Sequence, residues 1–237
     1  MVEKFLSFIR TNELIILRFL LLMIAIFVVS NFFGTYIKSV INPPEDTGSS
    51  YTSKTKETIL PFEHSIRKNP ESNITFIEYI DLECPHCKKL HILVKELLAS
   101  DSFTANYIIR HFPLVDIHEH AKEKARIAEC VSLLSGEEKF FAFIDEYFTK
   151  HEVNLSIPEF KTLASTYTQG TENLTTCMSG QEVTERVNES IKLGLYSGVF
   201  STPTLIVLKD GVFEARYDLL TDLSGASIMR DVLRGSK

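Results

Sequence analysis

The chain has 237 residues, enough for one domain of ordinary size with further segments, and its hydrophobic fraction of 44% allows a buried core. Its formal net charge is −6, and lysine and arginine do not cluster anywhere along it. This charge pattern excludes nucleic acid as an expected partner, because binding to phosphates requires a basic surface.

An apolar segment near the N-terminus is long enough to cross a membrane. Phe19–Ile37 contains no charged residue, and residues 14–17 extend the segment past Arg18. About 20 such residues span a bilayer as a helix. A cleaved signal peptide is the alternative, but residues 30–33 are too bulky for a cleavage site, which needs small side chains. We predict a short cytoplasmic N-terminus over residues 1–13 and a transmembrane anchor over residues 14–37.

Residues 38–70 are predicted to be a tether, because they contain Pro43-Pro44, Gly48 and many polar residues. Within them, Thr58–Leu60 is a candidate edge strand. Residues 71–237 are predicted to form one domain. All four cysteines lie beyond the anchor, and an even number suits an oxidising compartment, so we expect this domain on the periplasmic side.

The first part of the domain reads as strand, helix and strand. Ile74–Ile80 is nearly continuous in apolar and β-branched residues, as a central strand is. Lys88–Leu98 carries an apolar stripe at helical spacing, and Asn106–Phe112 reads as a second strand that ends before Pro113.

Cys84-Pro85-His86-Cys87 lies between that first strand and the helix. Two cysteines in the first turn of a helix can form a disulfide, and the unpaired N–H groups of the turn favour a thiolate. A strand followed by CxxC and a helix is typical of a redox site. The alternative is half of a zinc site, but the remaining cysteines and histidines do not have the spacing of a familiar zinc module. We predict redox chemistry, with no metal and no cofactor.

Four helices are predicted next, followed by a hairpin and a closing helix. They are Ala121–Leu134, Glu137–Lys150 with a phenylalanine-rich buried face, a helix that begins at Pro158, and a helix marked by Val183, Val187, Ile191 and Leu195. The hairpin strands are Thr204–Leu208 and Val212–Tyr217, joined by Lys209-Asp210-Gly211, and the closing helix is Asp222–Arg234. The order predicts an α/β sheet whose two halves are separated by a helical insertion over about residues 116–197.

Several motifs together resemble the DsbA-type thiol–disulfide oxidoreductases. They are Glu78, Cys84-Pro85-His86-Cys87, Arg110-His111-Phe112-Pro113-Leu114, Ala128-Glu129-Cys130 and Ser201-Thr202-Pro203-Thr204. That family has a thioredoxin-like fold with an inserted helical domain, and the resemblance covers roughly Ile74 to the C-terminus. The expected chain is therefore a transmembrane helix followed by a thioredoxin-like α/β domain.

The motif predicts a role for each of its residues. Cys84 is expected to be the exposed nucleophile, activated by the helix N-terminus and by His86, and Cys87 the buried resolving thiol. The resemblance implies a cis bond between Thr202 and Pro203, packed against the active-site disulfide.

Three further groups of residues outside the motif have expected roles. Glu78 is a carboxylate in an apolar strand, so burial and a raised pKa are expected, with a solvent-facing glutamate as the alternative. In the family the matching glutamate helps to move the proton of the buried thiol. Cys130 and Cys177 could form a structural disulfide, or could be two separate buried thiols. His118 and His120 are expected to cap the first helix of the insertion.

The function expected from the resemblance is the donation of disulfides to unfolded exported proteins by a monomer in the bacterial inner membrane. A membrane oxidase resembling DsbB would restore the disulfide. An isomerase or reductase of the same fold is one alternative; isomerases of this kind carry a dimerisation domain, for which the tether is too short. A chaperone-like module that binds unfolded chains without redox chemistry is another.

Overall fold

The computed structural model describes residues 63–67, 69, 71–101, 103–219 and 225–235, together with Met23. The strands are β1 (His64–Arg67), β2 (Ile74–Ile80), β3 (Asn106–His111), β4 (Thr204–Lys209) and β5 (Val212–Asp218). The helices are α1 (Pro85–Leu98), α2 (Ala121–Ser135), α3 (Glu137–Lys150), α4 (Ile157–Ser165), α5 (Thr171–Met178), α6 (Gln181–Tyr196) and α7 (Gly225–Gly235).

One five-stranded sheet organises the described residues, in the order β1-β3-β2-β4-β5. The pair β2–β3 is parallel and the three other pairs are antiparallel. A parallel pair needs a crossover connection, and α1 provides it. Strand β2 lies at the centre, which explains its apolar sequence, and it ends at Ile80, four residues before Cys84.

Each face of the sheet is covered by a different part of the chain. Phe76 and Ile80 point into the larger core, which they share with α1 and with the insertion helices. Ile77 and Tyr79 point into a smaller core on the opposite face, where Ile191 of α6 packs. The approach of α6 requires Gly194, because a Cβ there would lie 2.6 Å from the ring of Phe112.

The insertion consists of helices α2 to α6, which lie between β3 and β4 in the chain. The buried face predicted for Glu137–Lys150 is confirmed, with its phenylalanines and Tyr147 in the core. Helix α5 was not predicted; among its eight residues only Leu174 is buried, so the sequence has almost no apolar periodicity there. A disulfide joins Cys130 of α2 to Cys177 of α5. Of the two alternatives drawn from the sequence, a structural disulfide or two separate thiols, the first is confirmed.

Strand β1 lies inside the segment that was predicted to be a tether. His64–Arg67 pairs antiparallel with β3, so the folded domain begins before residue 71. The sequence His-Ser-Ile-Arg has one strongly apolar residue, which is too weak a pattern to indicate a strand. The candidate edge strand Thr58–Leu60 lies outside the described residues.

The predicted anchor over residues 14–37 also lies outside the described residues, except for Met23. Within the described part of the chain, no helix combines the length and the apolar character that crossing a bilayer would require.

Candidate active site

The two cysteines of the CxxC motif are placed by the junction of β2 and α1. Cys84 is the N-cap residue of α1 in an extended conformation, and Pro85 follows in the first turn, where the missing N–H of proline costs nothing. Cys87 lies inside the same turn and faces the core. Both thiols are free in this structure, which therefore represents the reduced protein.

Cys84 lies at the start of the helix under the loop that precedes β4. Its thiol donates a hydrogen bond to the Thr202 carbonyl oxygen at 3.3 Å. Cys84 was predicted to be exposed, but the residue is only 3% exposed. The resemblance implied that the Thr202–Pro203 bond packs against the cysteines, but the CxxC motif alone does not indicate this cover, because Thr202 is 118 residues away in the chain.

The pKa of Cys84 is lowered from 9.0 to about 6. The largest cause is the hydrogen bond that the Cys87 thiol donates to the Cys84 sulfur, and backbone N–H groups of Cys87 and His86 add to it. Burial acts in the opposite direction and is outweighed. His86, predicted to stabilise the thiolate, thus contributes through its backbone at the helix N-terminus.

Cys87 has the opposite character. It is fully buried, and burial together with the neighbouring Cys84 raises its pKa well above 9.0. The negative charge of Glu78 raises it further, while the N–H of Asp81, 3.4 Å from the Cys87 sulfur, lowers it. Because the two thiols differ so strongly, only Cys84 is ionised near neutral pH.

The residues before β4 form the opposite wall of the site. The bond between Thr202 and Pro203 is cis, as the resemblance implied. The Thr202 side chain is fully buried, and its hydroxyl has no hydrogen-bond partner while Cys84 is a thiol. The hydroxyl contributes to lowering the pKa of Cys84, because it can donate to the thiolate once that forms.

Glu78 is buried beneath the cysteines, and the solvent-facing alternative is excluded. It lies on β2 with 1% exposure, and the hydroxyl of Tyr107 on β3 donates a hydrogen bond to its carboxylate. Burial raises its pKa to about 7, against the opposing effect of Tyr107. Near neutral pH, Glu78 is therefore able both to hold and to release a proton next to Cys87.

Asp81 connects the CxxC turn to the loop after β3, and sequence reasoning missed it. It is 1% exposed, its carbonyl accepts the Cys84 N–H at 3.1 Å, and its carboxylate accepts the Leu114 N–H at 2.8 Å. The His118 Nδ1 lies 2.8 Å from the same carboxylate. An aspartate at the end of the central strand, three residues before the first cysteine, was the available signal.

His118 and His120 do not cap α2 through their side chains. His120 occupies the N-cap position without a side-chain hydrogen bond, and the imidazole of His118 binds Asp81 instead.

Helices of the insertion hold the segment just before Cys84. Lys124 of α2 is fully buried and its ammonium lies 2.9 Å from the Glu83 carboxylate. The Tyr147 hydroxyl of α3 lies 2.8 Å from the Leu82 carbonyl oxygen and 2.7 Å from that of Val153. The insertion thus positions the CxxC turn as well as covering the sheet.

The cysteine pair is not part of a group of metal ligands among the described residues. The group of three metal-ligating side chains that these residues contain consists of His64, His111 and Glu129. Cys130 and Cys177 are bonded to each other, so neither is a free thiol.

Comparison with known proteins identifies the family. A family model described as thioredoxin matches residues 66–219, well over half of the chain. The chain belongs to this thioredoxin family. The solved structure of Pseudomonas aeruginosa DsbA2 is 26% identical, with a TM-score of 0.57 over 74% of this chain and 97% of that one.

Two more distant structures share the fold. Wolbachia pipientis alpha-DsbA1 is 20% identical, with a TM-score of 0.62 over 77% of this chain and 97% of that one. Oxidised Bacillus subtilis BdbD is 16% identical, with a TM-score of 0.61 over 76% and 96%. The predicted DsbA-type resemblance is confirmed by the family model and by the DsbA2 structure, and the assignment as a thiol–disulfide oxidoreductase rests on those two matches and on the cysteine pair.

Curated relatives matched by sequence are much longer proteins. The Na(+)/H(+) antiporter NhaA 3 of Salinispora tropica is 26% identical over 147 residues, which are 62% of this chain and 22% of the antiporter. The NhaA 1 protein of Mycolicibacterium gilvum is 31% identical over 112 residues, 47% of this chain and 17% of its own length. The chain thus spans about a fifth of the length of these relatives.

Proposed function

We propose that this protein is a membrane-anchored enzyme that donates its Cys84–Cys87 disulfide to exported polypeptides on the periplasmic side of a bacterial inner membrane. The observation that carries the proposal is the opposite pKa shift of the two thiols. A thiolate stabilised at Cys84 favours the reduced form of the pair, and a pair whose reduced form is favoured is a good oxidant.

The reaction follows from this asymmetry. A substrate thiolate attacks the Cys84 sulfur, the Cys84–Cys87 bond breaks, and Cys87 leaves with the electron pair. Cys87 takes up a proton, which neutral Glu78 can supply because its pKa is about 7. A second substrate thiolate then attacks the substrate sulfur of the mixed disulfide, and Cys84 leaves as a thiolate. The substrate loses two electrons and the cysteine pair gains them.

An apolar surface beside Cys84 supports an unfolded polypeptide as substrate. Phe200 is 76% exposed and lies two residues before Thr202. Val115 and Ile117 are 54% and 71% exposed, in the loop that is bound to Asp81. An exposed apolar surface of this kind can bind apolar residues of a substrate, and those residues are accessible only while the substrate is unfolded.

Repeated turnover requires an oxidant for the reduced pair. A membrane oxidase resembling DsbB is the partner that the resemblance implies, and the apolar segment Phe19–Ile37 supports a location in the same membrane.

Cell fractionation with a protease added to spheroplasts would test the periplasmic placement of the domain. Protection of the domain from the protease would contradict it.

The reduction potential of the Cys84–Cys87 pair tests the direction of the reaction. The full-length chain in mild detergent is equilibrated with glutathione buffers, and the state of the peptide containing both cysteines is measured by mass spectrometry. A potential above the glutaredoxin range of about −200 to −230 mV is expected for an oxidase. A value near that of thioredoxin, about −270 mV, would overturn the proposal in favour of a reductase.

Trapping distinguishes redox transfer from chaperone-like binding. Cys87→Ser removes the resolving thiol, so Cys84 of this variant should accumulate mixed disulfides with exported proteins. Cys84→Ser is the matched control and should form none. Equal recovery of the same proteins with both variants would indicate binding without exchange.

A further inference from the structure

Three buried side chains that the disulfide chemistry does not use converge at one edge of the sheet. His64 comes from β1, His111 ends β3 and Glu129 lies on α2. They are 3%, 1% and 1% exposed, and one ligating atom of each lies within 4.8 Å of the others.

The distances between these atoms are close to those around a single ion. The Glu129 Oε1 atom is 4.0 Å from the His111 Nε2 atom and 2.9 Å from the His64 Nε2 atom, in a direct hydrogen bond that a bound ion would replace. Two ligands of a tetrahedral zinc ion with bonds near 2.1 Å lie about 3.4 Å apart. These two separations lie on either side of this value, and the ligating atoms of the two histidines lie within 4.8 Å of each other, so small side-chain shifts would place all three atoms around one ion.

Unpartnered polar atoms point to a ligand at this place. Neither ring nitrogen of His111 has a hydrogen-bond partner, and the Oε2 atom of Glu129 has none either. The Nη1 atom of Arg186 is 4.0 Å from that oxygen, beyond hydrogen-bond distance. Buried imidazoles are almost always hydrogen-bonded, because a buried polar group without a partner destabilises the fold.

A second carboxylate supports His64 from behind. The Nδ1 atom of His64 lies 3.2 Å from the Oε1 atom and 3.1 Å from the Oε2 atom of Glu137. The Ser132 hydroxyl donates a hydrogen bond to the same Oε1 atom at 2.7 Å. The Phe140 ring stacks on the imidazole at 3.7 Å. Metal-binding histidines commonly hold their second N–H on a carboxylate in this way, which directs the Nε2 atom toward the ion.

We propose that His64, His111 and Glu129 bind one divalent transition-metal ion of the zinc class. Two imidazoles and a carboxylate are a ligand set that suits zinc, and the carboxylates of Glu129 and Glu137 offset the charge of an ion placed near Arg186. The ion would tie the short strand β1 to β3 and to the insertion, independently of disulfide exchange.

Zinc binding is tested in the full-length chain in mild detergent with both active-site cysteines replaced, Cys84→Ser and Cys87→Ser, so that no free thiol competes. The protein is unfolded and refolded with and without zinc, because the site is closed to solvent. One zinc per chain is expected, with a melting temperature higher by about 5–10 °C at a hundredfold excess over the dissociation constant. Cobalt should give visible bands without a thiolate charge-transfer band.

Single variants decide whether these residues hold the ion. His111→Asn and Glu129→Gln should each weaken zinc binding at least tenfold and abolish the rise in melting temperature. His91→Gln is the matched control, since His91 forms a histidine–carboxylate pair with Asp145 at 3.3 Å outside this cluster; it should bind zinc as before.

Two results would overturn the proposal. One is refolded protein with native circular dichroism that takes up no zinc and shows no rise in melting temperature. The other is zinc binding that both variants retain. If a variant fails to fold, the zinc-dependent melting temperature and cobalt spectrum of the parent protein decide the question.

Discussion

Replacing Cys87 by alanine should raise the pKa of Cys84, because the thiol of Cys87 is the largest cause of its low value. A hydrogen bond to a charged group contributes about 1.5–3 kcal/mol. At 1.36 kcal/mol for each pKa unit, its loss should move the pKa of Cys84 from about 6 to between roughly 7 and 8. The backbone N–H groups of the helix N-terminus remain and keep the pKa below 9.0.

The assay is the absorbance of the thiolate at 240 nm as a function of pH, with the rate of alkylation by iodoacetamide as a second readout. The alanine variant has a single free thiol, because Cys130 and Cys177 are bonded to each other, so no reductant is needed. Cys87→Ser is the matched control, because the serine hydroxyl is still a donor at the same place. The pKa of Cys84 in this variant should lie between its values in the wild type and in the alanine variant.

The stability of the reduced protein supplies an independent check. Since the pKa of Cys84 is lower in the folded than in the unfolded chain, its contribution to stability is fully present above pH 9.0 and is lost as the pH falls to about 6. In the alanine variant this loss should be complete at a higher pH. A Cys84 pKa that stays at about 6 in Cys87→Ala would refute the reasoning and assign the effect to the helix N-terminus alone.

Three further changes should have distinct effects. In the wild type, the free energy of unfolding should fall by about 3 kcal/mol as the pH rises from 4.5 to about 7, because Glu78 keeps its proton in the folded state. Glu78→Gln should remove this fall. If urea titrations at several pH values show the same dependence of the unfolding free energy on pH for both proteins, the reasoning is wrong. Thr202→Val should raise the pKa of Cys84 by less than Cys87→Ala does, measured at 240 nm, without lowering the melting temperature at pH 5, since its hydroxyl has no partner in the thiol form; a lower melting temperature would indicate a partner. Replacing Cys130 and Cys177 by serine should cost about 4 kcal/mol in urea unfolding, from the loop of 47 residues that their bond closes; a loss below about 1 kcal/mol would contradict the loop-entropy argument.

The parts of the fold with strong apolar periodicity were predictable from the sequence. Ile74–Ile80 and Glu137–Lys150 have the predicted bounds, because burial on both faces or along one stripe leaves a continuous pattern. Strand β1 and helix α5 were missed for the opposite reason: each is short and mostly polar, and long-range pairing determines where it forms.

The candidate site also has one part that the sequence predicts and another that only the fold reveals. The CxxC turn could be predicted because strand, cysteines and helix are contiguous in the sequence. The contact of Thr202 with Cys84 was implied only by the resemblance. The contacts of Lys124 and Tyr147 that hold the turn could not be predicted, since both residues reach it from distant segments. Asp81 is contiguous with the motif, but its partners after β3 are not, so only the fold shows what it does.

The position of each thiol explains why a two-residue spacing gives such different acids. Cys84 is outside the first helical turn, where N–H groups point toward its sulfur; Cys87 is inside the turn, against β2 and the carboxylate of Glu78. Ionising Cys84 strengthens the hydrogen bond from Cys87, and the same charge makes ionisation of Cys87 harder. Each shift therefore reinforces the other, and both depend on the free dithiol. Closing the disulfide removes both at once, so the free energy supplied by the ionised Cys84 belongs to the reduced protein and favours transfer of the disulfide to a substrate.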